Sequence, residues 1–130
     1  MNEDQLNKIS ETVIGCAYMV SNVLGSGFLE KVYENALAHE IRKKNLHIKQ
    51  QYPIEVIYDG AVVRHYIADI LVENSVIVEL KTIKGIDEIH LAQGLNYLKA
   101  TGLSLCLLIN FGKPRVEVKR IFQSANLRKY

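Results

Sequence analysis

The spacing of apolar residues changes period several times along the chain, and each change marks an element. Between Gln5 and Leu24, the residues Leu6, Ile9, Val13, Ala17, Val20 and Leu24 recur at three- and four-residue steps, which predicts a helix with one apolar stripe. The "GSG" at 25–27 ends it, because glycine accepts the positive φ of a helix C-terminus. A second helix is expected from about Phe28 to Lys44, with Leu29, Val32, Tyr33, Ala36, Leu37 and Ile41 turned inward. The period then falls to two. "YPIEVIYDGAVVRHYIADILVE", 52–73, reads as two strands around Asp59-Gly60, a pair that favours a tight hairpin. "SVIVELKTI", 75–83, reads as a third. Helical spacing returns over 87–101, with Asp87 as N-cap and Gly102 as the stop. "LSLCLLINF", 103–111, is apolar without a break, as in a strand covered on both faces. "RVEVKRIF", 115–122, alternates and suits an edge strand. The predicted order is αα-βββ-α-β(β): an α/β (α+β) fold with a mixed sheet flanked by helices, one domain over 1–130.

Composition narrows the class. Hydrophobic residues make up 48% of the 130 and charged residues 23%, which fits a chain able to bury its own core and argues against disorder. No apolar run approaches the roughly 18 residues of a membrane span, and "MNEDQLNKIS" lacks the basic-then-apolar order of a signal peptide. A cytoplasmic protein without membrane contact is expected. Cys16 and Cys106 stand in apolar contexts without a metal-ligand spacing, as buried thiols of a reducing compartment. A net charge of +2 permits a nucleic-acid partner without arguing for one.

Three charged residues interrupt the apolar strands of "IADILVENSVIVELK": Asp69, Glu79 and Lys81. A hairpin centred on Asn74 opposes residues whose numbers sum to 148, which sets Asp69 directly across from Glu79. Opposed Cβ atoms lie roughly 4.5–5.5 Å apart, so two acids there repel each other and lose hydration. Lys81 lies two residues on and shares the face of Glu79. A divalent cation between the acids would resolve the conflict, and oxygen ligands favour Mg²⁺, Mn²⁺ or Ca²⁺ over zinc. Two other arrangements remain open. A two-residue turn would set Asp69 opposite Leu80, and Asp69 could instead pair with Lys81 as a structural salt bridge.

Asp69, nine intervening residues and then Glu79-Leu80-Lys81 resemble the D…(D/E)xK signature of the PD-(D/E)xK nuclease superfamily. "GFLEKVY", with Gly27, Glu30 and Tyr33, is similar to the pattern that names the GxxExxY family, a branch of that superfamily. Gln93 and Tyr97 in "QGLNY" resemble the QxxxY motif of its RecB-like and lambda-exonuclease-like branches. The resemblance runs from about Ile9 to Phe122; Ala68 stands where the family pattern has a proline. It implies a restriction-endonuclease-like core and phosphodiester hydrolysis, of DNA by family analogy, with Mg²⁺ or Mn²⁺ as cofactor. The implied catalytic residues are Asp69, Glu79, Lys81 and Glu30. The cation would be held by Asp69, Glu79, the backbone carbonyl of Leu80, and Glu30. Gln93, Tyr97 and Tyr33 would support the site, Gln93 and Tyr97 by orienting Lys81 or a phosphate. Glu34, one turn after Glu30, is the weaker acidic candidate. His65 and His90 receive no catalytic role.

Basic residues gather at Arg42, Lys43, Lys44 and Lys49, and again at Lys113, Arg115, Lys119 and Arg120. Lys43, Lys44, Lys49, Lys113 and Arg115 are the candidates for contacting a phosphate backbone. Nothing resembles a base-reading module, so little sequence specificity is expected. A non-catalytic nucleic-acid- or protein-binding module on the same fold, as a homodimer through the edge near 115–122, is the alternative.

Overall fold

The protein is described from a computed structural model over residues 1–124. Helix α1 (Glu3–Leu24) opens with a capping box between Asn2 and Gln5 and closes at Gly25, whose φ of 66° needs the missing Cβ. Helix α2 spans Glu30–Lys43. It begins later than its periodicity predicts: Leu29 is an extended N-cap, 82% exposed, and Val32 is 41% exposed, so neither turns inward. The buried stripe is Tyr33, Glu34, Leu37, Ala38 and Ile41. An acid within that stripe breaks the apolar pattern from which the register would be read.

Strand β1 (Ile48–Tyr58) starts before the expected Tyr52, because Ile48, Lys49 and Gln50 pair with Val72, Leu71 and Ile70 of β2 (Ala61–Val72). β3 (Val76–Lys81) is followed by α3 (Glu88–Thr101), β4 (Leu105–Asn110) and β5 (Glu117–Phe122). Asp87 caps α3, and Gly102 ends it at φ 77°, as the sequence predicts. The strands lie in the order β1-β2-β3-β4-β5, with β3 and β4 parallel and the other neighbours antiparallel. A parallel pair needs a crossover, which α3 supplies.

Alternation along β3 and β4 divides the core. Val76, Val78, Leu80, Leu105, Leu107 and Ile109 pack under α1 and α2, whereas Ile77, Cys106 and Leu108 pack under α3 with Tyr97 and Leu98. Both cysteines are buried free thiols, raised above the ordinary thiol range by burial. Among the described residues no helix is long and apolar enough to cross a membrane.

Two features place the functional residues. The β2–β3 turn puts Glu73 and Asn74 at φ 52° and 54°, and its pairs are Val72↔Val76, Leu71↔Ile77 and Ile70↔Val78. These sum to 148, so the two-residue turn is excluded. The ladder stops at Ile70↔Val78: before it β2 pairs with β1 alone, and after it β3 pairs with β4 alone. The strands therefore open into a notch at Asp69 and Glu79. The second feature is a clamp on the chain leaving β3. Phe111 N donates to Lys81 O at 2.8 Å. Buried Asn110 accepts from Ile83 N (3.0 Å) and Gly112 N (2.9 Å), and donates to Ile83 O (2.9 Å) and Glu117 Oε1 (3.2 Å).

Candidate active site

Within the notch the side chains take over where the ladder ends. The Asp69 amide donates to Glu79 Oε1 at 2.8 Å, and the Leu80 amide donates to Asp69 Oδ2 at 2.8 Å. Each carboxylate thus satisfies a backbone donor of the opposite strand and keeps its second oxygen for another partner. In an extended strand the N–H and C=O of one residue point to the same side. The Leu80 carbonyl therefore opens toward Asp69 as its amide does.

The acids are held against their own charge. Glu79 is only 4% exposed, and burial first, then the charge of Asp69, push its carboxyl up to about 8. Asp69 is raised as well, mainly by burial and then by the charge of Glu34, although the Leu80 amide opposes the shift. Glu30 lies at the N-terminus of α2, open to solvent on one side. Lost hydration and the charge of Asp69 raise its carboxyl, while Lys81 lowers it. Glu30 thus senses both Asp69 and Lys81 from the helix layer.

Glu34, the weaker acidic candidate, sits in a buried network that the sequence reading did not foresee. It is 3% exposed, and both its oxygens are occupied: Oε1 by Lys31 Nζ and Gln51 Nε2 (2.9 Å each), Oε2 by Gln50 Nε2 (2.7 Å). The adjacent amides of Gln50-Gln51 were the available signal. Opposite Asp69, at the position the β1–β2 ladder skips, Gln51 adopts φ 55°. Glu34 therefore adds charge beside Asp69 without an oxygen free to leave its network.

Lys81 is half-buried and donates to Gln93 Oε1 at 3.2 Å. None of the ion pairs among the described residues joins Lys81 to Asp69. The charge of Lys81 nonetheless lowers the carboxyl of Asp69. Tyr97, one turn after Gln93, is 4% exposed; burial and the charges of Glu79 and Asp69 push its hydroxyl above the ordinary range. Tyr33 sits elsewhere. Its hydroxyl donates to Gly25 O (2.6 Å), accepts from Phe28 N (3.2 Å), and its ring stacks on Phe111 at 4.7 Å. It fixes the α1–α2 turn against the end of β4 and does not join the carboxylates. His90 accepts from Asp87 N within the α3 capping box, and His65 is exposed near Glu55.

The two basic clusters are not brought together. Lys113 and Arg115 lie in the loop after β4, whose Phe111 and Gly112 adjoin Lys81–Ile83. Lys43 ends α2, roughly 20 Å from Glu30 at 1.5 Å per residue, and is paired with Glu40. Lys49 pairs with Leu71, two residues from Asp69, and its ammonium lies 5.7 Å from the Tyr52 ring.

Whether such a site suits a divalent cation depends on its donors. Among the described residues no three His, Cys, Asp or Glu side chains enclose a cation by themselves. What the notch offers is two leftover carboxylate oxygens and a carbonyl, all hard donors, in a setting that disfavours negative charge. Hard oxygen donors of this kind suit a divalent cation whose shell is completed by water and substrate phosphate.

An alkaline exonuclease from Laribacter hongkongensis superposes with a TM-score of 0.55 at 13% identity, over 97% of this chain and 73% of the exonuclease. At that identity the likeness concerns the fold, which is restriction-endonuclease-like. No relative matches among the curated proteins. The sequence profile of the PD-(D/E)XK nuclease superfamily, whose members generally use divalent metal ions, matches residues 7–121, and the chain belongs to that superfamily.

Proposed function

We propose that the protein hydrolyses phosphodiester bonds of DNA with Mg²⁺ or Mn²⁺ and little sequence preference, as a member of the GxxExxY branch. One observation carries the reading. Asp69 and Glu79 meet where the ladder opens, each with an oxygen to spare, beside a lysine tethered by Gln93. When bound there, a divalent cation supplies Lewis-acid activation of water and offsets charge developing on the phosphate.

The chain's own residues do the rest. Asp69, Glu79 and the Leu80 carbonyl would hold the cation, and Glu30 would add an outer carboxylate from α2. Gln93 limits the directions open to Lys81, which leaves its remaining protons to hold the attacking water or a phosphate oxygen. The Asn110 clamp keeps the segment after Lys81 from drifting away from that position. Lys113 and Arg115, at the same end of the sheet, would contact flanking phosphates. The absence of any base-reading element in the motifs supports weak sequence preference.

Incubation of supercoiled plasmid and labelled oligonucleotides with Mg²⁺, Mn²⁺ or EDTA tests the proposal. Metal-dependent cleavage is expected, nearly lost in Glu79→Gln and Lys81→Ala, and reduced about 10–100-fold in Gln93→Ala. A Lys81→Ala chain as active as wild type would refute the site.

A non-catalytic binding role is the second reading. It draws on the β1–β2 hairpin tip, where Ile57, Tyr58, Val62 and Val63 are exposed together. Cleavage that tracks Glu79 would set it aside. A second copy, if one pairs, would use the outer edge of β5, where Phe122 is 53% exposed, and the solution mass would reveal it.

A further inference from the structure

The outer half of β2 forms one wall of the notch, and it carries a cation that no motif predicts. Beyond Ile70↔Val78, β2 has no neighbour on the β3 side. The Asp69 amide points that way, toward Glu79. By the twofold alternation of a strand, the amides of Ile67 and His65 point the same way, where no strand lies beside them. Arg64 stands on this open stretch. Its guanidinium lies 5.1 Å from the centroid of the Tyr66 ring, and none of the ion pairs among the described residues involves it. Tyr66 in turn packs against Tyr97, with ring centroids 5.2 Å apart. Tyr97 lies one helical turn from Gln93, which holds Lys81.

Arg64 thus contacts Tyr66, Tyr66 contacts Tyr97, and Tyr97 shares α3 with the Gln93 that holds Lys81. An arginine on an aromatic face is held in one orientation without being neutralised, and its fork remains available to an anion. Tyr66 precedes Asp69 by three residues, roughly 10 Å along an extended strand. That span is about three steps of duplex DNA at ~3.4 Å per step on one strand.

We propose that Arg64 clamps a backbone phosphate of the substrate a few nucleotides from the cleavage point, and that Tyr66 is its positioning residue. The inference rests on the nuclease reading and adds a contact outside the catalytic cluster. The nucleic acid would then run along the open edge of β2, between the β1–β2 hairpin and α3. Lys43 and Lys44, at the far end of α2, would lie off this path.

The test is fluorescence anisotropy of a labelled DNA duplex and of its single strand with Mn²⁺. It is made in a Glu79→Gln background to suppress cleavage. Adding Arg64→Gln should weaken binding about tenfold, as expected for loss of one charge-assisted contact. It should also lower the slope of log affinity against log salt by about one. Tyr66→Leu should weaken binding when Arg64 is present and have little further effect when it is not. That coupling separates positioning from general loosening of the fold, which circular dichroism melts would record independently. Equal affinity and slope with and without Arg64 overturns this inference alone. Cleavage undiminished in Glu79→Gln, or no DNA binding by either that variant or the wild type, overturns the nuclease reading and the clamp together.

Discussion

At the scale of single residues, the notch is a conflict that the fold enforces. Glu79 has a folded-state value of about 8 against an ordinary 4.5, so folding favours its protonated form. The contribution to stability is complete below about 4.5 and is lost as pH rises through about 8, on the order of a few kcal/mol in the metal-free protein. Thermal melts in EDTA should therefore show stability falling across that window. Glu79→Gln should flatten the fall, because the amide cannot ionise. Asp69→Asn keeps an acceptor for the Leu80 amide and removes a charge, so in EDTA at pH 8 it should match or exceed wild type in stability. Mn²⁺ should stabilise wild type by roughly 2.7 kcal/mol at a hundred times its dissociation constant, and Asp69→Asn much less. A destabilised Asp69→Asn beside a wild type indifferent to metal would refute the cation site. The opposition of Asp69 and Glu79 was legible from one turn residue and simple arithmetic. That each acid would take the other strand's amide was not, because it follows from the strands parting just there.

At the scale of elements, close packing decides which connections hold the site. A Cβ on Gly112 would come within 2.4 Å of Ile83 O and 2.5 Å of Ile83 N, both backbone atoms of the segment after Lys81. A Cβ on Gly94 would meet Ile121 Cδ1 at 2.4 Å, the far end of a side chain that can rotate, and helix propensity would return about 1 kcal/mol. Gly112→Ala should therefore cost more stability than Gly94→Ala, by about 2 kcal/mol or more, and should also impair cleavage through Lys81. Equal melting temperatures would show that the clamp is not rigid. Tyr33→Phe removes the hydroxyl that joins Gly25 O to Phe28 N and should cost about 1–3 kcal/mol. Cleavage by the folded fraction should be retained. A selective loss of cleavage would return Tyr33 to the site from which its position separates it. Tyr33 matches a family pattern, yet its neighbours are a turn and a phenylalanine ring.

At the scale of the whole molecule, charge follows topology more than sequence clustering. Lys113 and Arg115 share the end of the sheet that carries Lys81, whereas Lys43 and Lys44 lie at the far end of α2. Neutralising Lys113 and Arg115 together should lower the salt slope of DNA binding by up to about two. Neutralising Lys43 and Lys44 should change it less. Salt titrations of the two double variants compare them directly, and the opposite ranking would move the DNA path to the start of β1.

Spacing along the chain was enough for the periods, and with them the element order, the hairpin at Asp59-Gly60, the caps of α3 and the register that opposes Asp69 to Glu79. These are local matters: spacing, turn residues and caps act within a few positions of the chain. Its motifs also led to the superfamily. Long-range packing set the rest: β2 and β3 separate at the acids, Glu34 is buried with every oxygen bonded while Glu30 feels the charges of Asp69 and Lys81, and Tyr33 belongs to the core. It likewise decided that Asn110 and Gly112 fasten the chain after Lys81, and that Arg64 stands along the open edge. Each of these depends on which distant segment arrives beside a residue. A carboxylate's hydration, charge and partners are set by those arrivals rather than by its neighbours along the chain.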